Sequence, residues 1–136
     1  MNDRGSITLW VLGLTIMVLF LGGISLDLWR AFEVREDLAA MADSAANAGA
    51  SRLDGRAYRD TGVLELDGPA AAAAANANLD AQQDSGRITN RVISTNGAVL
   101  TVRLEGEVGF TLLSIFLGGG RVPVSATGSA EALPAP

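Results

Sequence analysis

The chain begins with a long break in its polar pattern. After Asp3 and Arg4 no charged residue occurs until Asp27, and residues 5–26 read GSITLWVLGLTIMVLFLGGISL. A helix rises about 1.5 Å per residue, so about 20 such residues cover the ~30 Å hydrocarbon core of a bilayer. Trp10 near one end and Trp29 just past the other suit the two interfacial belts. The pattern predicts a transmembrane helix over 6–27 behind a cytoplasmic stub over 1–5. A buried core helix does not fit, because a small domain cannot surround so long an uncharged run. The competing reading is a signal peptide cut near Ser25, after the small-x-small triplet Gly23-Ile24-Ser25. It would release a small secreted binding module and leave Leu28, Trp29 and Phe32 exposed on a terminal helix. The length of the run and the uninterrupted helical pattern after it favour the anchor.

No helix breaker follows the apolar run. Val34, Leu38, Met41, Ala45 and Ala48 recur at steps of four and three, with Ala39, Ala42, Ala46 and Gly49 beside them. Arg35, Glu36, Asp43 and Asn47 lie on the other side. The expectation is one helix of about 45 residues, about 70 Å long, apolar all round at first and amphipathic over 28–53. Small residues let another element approach closely. The candidate packing positions are therefore Gly22 and Gly23, with Ser25, and then Leu38, Ala42, Ala45, Ala46 and Gly49. Asp27 and Arg30 mark the membrane boundary. Asp27 is expected to reach water and to pair weakly with Arg30 at i+3. The alternative is a registry residue that needs a partner when helices bundle.

Residues 51–68 carry Gly and Asp turn signals and read as a loop with a short strand over 63–66. Asp67-Gly68-Pro69 opens a second helix, with Asp67 or Gly68 as cap. The alanine run 70–75 carries it to about Gln83, before Asp84-Ser85-Gly86. From Arg87 the period becomes two. Asn96-Gly97 marks a two-residue hairpin turn, and 98–108 is the return strand. Leu100, Val102 and Leu104 share one face; Thr101, Arg103 and Glu105 share the other. The segment VGFTLLSIFLGGG over 108–120 is too short to span a membrane. Burial within the domain is expected, with an amphipathic turn dipping into the membrane interface as the alternative. Residues 121–128 alternate as a final strand, and 133–136 form a frayed tail. The fold class is α+β: a long N-terminal helix, one further helix and an antiparallel sheet of about three strands, with an extracytoplasmic head over 54–136.

Composition narrows the chemistry. The chain has no Cys, no His and no Lys; its ten cations are all Arg, against fifteen acidic residues and a net charge of −5. Disulfides and thiolate metal sites are excluded, and the commonest general base and metal ligand is missing. Carboxylate pairs exist at Asp54 and Asp60, Glu65 and Asp67, and Glu105 and Glu107, but on a strand face such a pair is ordinarily solvated. Gly118-Gly119-Gly120 lacks the Lys of a phosphate loop. The reading is a protein that is not an enzyme, with no catalytic, metal or cofactor site, no cofactor, no small-molecule substrate and no nucleic acid partner.

The N-terminal third carries a recognisable pattern. It runs from Arg4-Gly5 through the uncharged span to Ser25-Leu26-Asp27-Leu28, Arg35, Leu38 and MADSAANAGA over 41–50. This resembles the TadE/TadG-like pilus-assembly proteins of bacterial tight-adherence (Flp, type IVc) systems. There an Asp follows the span, then an Arg and a helix ending in an AADAAALAGA-like stretch. The tail, Phe110-Thr111-Leu112-Leu113 to Gly118 and then VPVSATG over 122–128, is similar to the family's ending. The resemblance implies a single-pass, pilin-like protein of the bacterial cell membrane, N-terminus cytoplasmic and head extracytoplasmic. It implies a minor pilin or assembly factor whose partners are the membrane, other pilin-like or pilus-assembly subunits, and further copies of itself. Gly5 and Ser6 form the candidate processing junction. Prepilins carry Glu at the fifth residue after the cut, where this chain has Trp10. The resemblance is therefore closer to the uncleaved, TadG-related anchor type.

Overall fold

In the computed structural model, which describes residues 3–133, the long helix is one unbroken element, α1 (Asp3–Ala50). Its 48 residues make it about 72 Å long. Asp3, Arg4 and Gly5, expected in a stub, are already helical. Residues 1 and 2 of that stub and 134–136 of the expected tail lie outside the described residues. In the charge-free half, apolar side chains project outward all round the helix. Hydroxyls there return their protons to the helix itself: Thr15 Oγ1 donates to the Val11 carbonyl and Ser25 Oγ to that of Leu21, both at 2.8 Å.

The second half of α1 is the centre of the head. Leu38, Met41, Ala42, Ala45 and Ala46 are buried, on the stripe that the three-four spacing predicts. Beyond Ala50 the structure departs from the expected loop. Residues Gly55–Thr61 form a short helix, α2. Asp54 caps it by accepting the amides of Arg56 and Ala57, and Gly62 ends it at φ 70°. The Asp and Gly that read as turn signals are thus a helix start and stop. The expected strand over 63–66 is reduced to a single bridge between Leu53 and Leu66. Helix α3 (Gly68–Ala81) starts as anticipated, with Asp67 accepting the Ala70 amide and Pro69 in the first turn. It stops at Ala81 because Gln82 is extended. Ala71, Ala75 and Leu79, spaced by four, form its fully buried stripe.

The sheet is an antiparallel meander, β1 (Ile88–Asn96), β2 (Val99–Gly109) and β3 (Arg121–Glu131), with β2 central. Asn96 pairs with Val99, so the two turn residues are Gly97 and Ala98, one position later than Asn96-Gly97. Gly97 has φ 60° and Ala98 does not have a positive φ. That places the glycine at the first turn position, where a type II′ geometry requires it. Strand β3 continues three residues past 128, because β2 offers it partners as far as Val99 opposite Glu131.

Helix α1 lies across β2 and β3, and α3 lies beside it toward β1. Leu100, Val102 and Leu104 point at the helices and are fully buried. Each contributes about 1.5–3 kcal/mol of transfer free energy. Glycines let the layers close, Gly128 and Gly49 among them. A Cβ on Gly128 would lie 2.5 Å from the backbone of Ala42 and Asp43, and one on Gly49 would lie 2.8 Å from the Ala71 carbonyl. The outer face of the sheet carries Arg103, Glu107, Ser125, Thr127 and Ser129 and is exposed.

Candidate functional site

Strand β2 ends at Gly109, and the chain returns to β3 through residues 110–120. This connection holds a one-turn helix, α4 (Leu113–Leu117), closed by Gly118 at φ 75°. The expectation that the segment is buried within the domain fails. Ile115 is 68% exposed and Phe116 67%. The segment lies against the charge-free half of α1, not against the sheet.

Three contacts fix it there. The first is made by Asp27, which does not reach water as expected; it is the one buried charged side chain among the described residues, at 1% exposure. One carboxylate oxygen accepts the Leu112 amide at 2.7 Å and the Leu113 amide at 2.9 Å. The Thr111 amide reaches both oxygens, at 2.9 and 3.0 Å. The opening amides of a helix have no partner within it. Asp27 satisfies those of α4 from 84 to 86 residues away in sequence. The second contact is at Gly23, where a Cβ would overlap the Leu112 side chain. The third is an edge-on pairing of the Phe20 and Phe116 rings, centroids 6.4 Å apart. Arg30 adds a hydrogen bond from its guanidinium to Thr111 Oγ1 at 2.9 Å and approaches Asp27 at 3.7 Å.

The other candidate packing residues divide in two. Leu38, Ala42, Ala45, Ala46 and Gly49 are covered by the chain's own sheet and by α3. Gly22 faces open space. Gly23 receives Leu112 of the same chain, and Ser25 bonds to its own helix. The carboxylate pairs are occupied separately. Asp54 and Asp67 cap helices, while Glu105 faces Arg103 and Asn90, and Glu107 faces Arg121. The Asp27 partners were missed by sequence reasoning because they are backbone amides, which no residue type announces. The readable signal was a short apolar segment, 110–117, with glycines behind it and no place in the strand pattern.

The segment that carries Asp27, Gly23 and the alanine stripe can be compared with known families. Residues 5–52 match the family model for putative Flp pilus-assembly TadE/G-like proteins. The matched segment is nearly all of α1, so it contains the apolar half, Asp27 and the stripe under the sheet. The remaining head, including α4 and all three strands, lies beyond the TadE/G-like match. No curated protein and no solved structure matches the chain. The TadE/G-like match connects this helix with the Flp pilus system. The described structure has one helix long and apolar enough to cross a membrane, α1.

Proposed function

We propose that this chain is a single-pass cell-envelope protein that acts as a minor pilin or assembly factor of a tight-adherence pilus, through helix packing and protein–protein contacts. The observation that carries the reading is the continuity of α1. One helix, matched by the TadE/G-like model, is charge-free and outward-facing over residues 5–26 and core-forming in its second half. The first half is then an anchor, with the N-terminus cytoplasmic and the head extracytoplasmic. Its partners are the membrane and other pilin-like or assembly subunits, further copies of itself included. The polar outer face of the sheet and its two edges, β1 and β3, unpaired among the described residues, are the surfaces offered to them. The role is non-enzymatic. Cleavage near Ser25, the route to a secreted module, would remove Phe20 and Gly23 and strip the cover from Leu112 and Phe116. That cost supports the anchored form.

The test is deletion of the gene in its own bacterium, with filaments counted by electron microscopy. The expected result is loss or sharp reduction of pili, restored by the full chain and not by a chain lacking residues 5–26. Normal piliation in the deletion strain would overturn the reading.

A further inference from the structure

We infer that α4 is a second, monotopic membrane element: the segment 112–117 inserts beside α1 into the outer leaflet, so the head is seated on the bilayer. The inference rests on the anchor reading above and adds a depth and a surface to it. Phe116 packs on Phe20, which lies seven residues before Asp27. At about 1.5 Å per residue, that is roughly 10 Å down the helix. Leu112 lies on Gly23, within the same charge-free stretch. Whatever medium surrounds Phe20 must therefore also surround α4. The outward side of α4 suits a lipid medium, because Ile115 and Phe116 are both exposed and apolar. Their surface adjoins that of Phe20, and Met17 and Leu21 on α1 are exposed and apolar as well.

The polar groups are arranged for the same medium. A helix start near hydrocarbon leaves amides that water cannot reach, each costly unless paired. Asp27 takes up the amides of Thr111, Leu112 and Leu113. Its own charge is in turn met by those donors and by Arg30. Two exposed arginines stand at the roots of the segment. Arg30 bonds Thr111, and Arg121 pairs with Gly109 as β3 begins. Both suit the headgroup layer above an inserted turn.

The chain has no cysteine, so single cysteines can carry a nitroxide without background. Ile115→Cys, Leu14→Cys in mid-span and Ser129→Cys on the outer sheet face all replace exposed side chains. The full-length variants are placed in phosphatidylcholine–phosphatidylglycerol vesicles. Accessibility to oxygen, which concentrates in lipid, and to a water-soluble nickel chelate is read by electron paramagnetic resonance. The expected oxygen-to-nickel ratio at 115 is several-fold above that at 129 and on the side of that at 14. A lipid signature at 14 with a ratio at 115 equal to that at 129 overturns the insertion and leaves the anchor standing. Shielding of 115 from both reagents means protein covers α4, which also overturns it. An aqueous signature at 14 itself overturns the anchor and the insertion together.

Discussion

A carboxylate held away from water stays charged only when several donors surround it, and Asp27 draws most of its donors from backbone. Removing it leaves the amides of residues 111–113 without acceptors. Asp27→Ala is expected to speed hydrogen exchange at those amides while exchange at α3 is unchanged; equal protection in both proteins would show that the carboxylate holds nothing. Gly23 and Gly22 make a sharper pair, since a methyl at 23 meets Leu112 and one at 22 meets open space. A nitroxide at 115 is expected to become more mobile in Gly23→Ala and to stay as it was in Gly22→Ala. Asp54 gives a pH effect. The amides of Ala57 and then Arg56 hold its carboxyl below the ordinary range. The folded value lies below the unfolded one, about 3.9. Its contribution is therefore present above that pH and is lost as pH falls through the lower folded value. Protection of the α2 amides 56 and 57 is expected to hold from pH 7 to 5 and to fall below about 4. Asp54→Asn keeps an acceptor oxygen and should abolish that dependence. At this scale the sequence marked Asp27 as a boundary residue by its place after an uncharged run. Its partners stayed invisible because they are main-chain groups far along the chain.

The elements depend on close approach more than on large side chains. Helix α1 rests on β3 at Gly128, where the backbone of Ala42 and Asp43 leaves no room for a methyl. Gly128→Ala is expected to cost about 1–3 kcal/mol as an overpacked site. Gly109→Ala, with nothing within 4 Å, should stay within about 0.5 kcal/mol. Urea unfolding of the two variants in detergent micelles measures the difference, and equal midpoints would contradict the packing described. Leu79→Ala, at a fully buried position of α3, is expected to cost about 2–5 kcal/mol by the same assay. The regular elements were legible because their periods are long and unbroken: the three-four stripe of α1, the Asp67 cap of α3, and the alternation of β1 and β2. The two short helices were not. In α2 the residues that signal turns serve as caps. In α4 five residues are too few to show any period, and what fixes them is contact with α1. The hairpin turn slipped by one residue because Asn-Gly fits two neighbouring registers, and the glycine torsion decides between them.

Taken whole, the molecule is one long helix with a head built around its second half. Helix α1 runs unbroken from the charge-free stretch into the core of the head. Contacts of α4 at Asp27, Gly23 and Phe20 tie the head to the apolar half as well. Seating α4 therefore needs Phe20, Gly23 and Asp27 in place, and the anchor proposed above needs all of residues 5–26. Mass spectrometry of the intact native protein, from carbonate-washed membranes and from the culture medium, tests this most directly. The protein is expected to be retained in the washed membranes as a chain that still contains residues 6–26. A soluble chain in the medium that starts near Leu26 would contradict it.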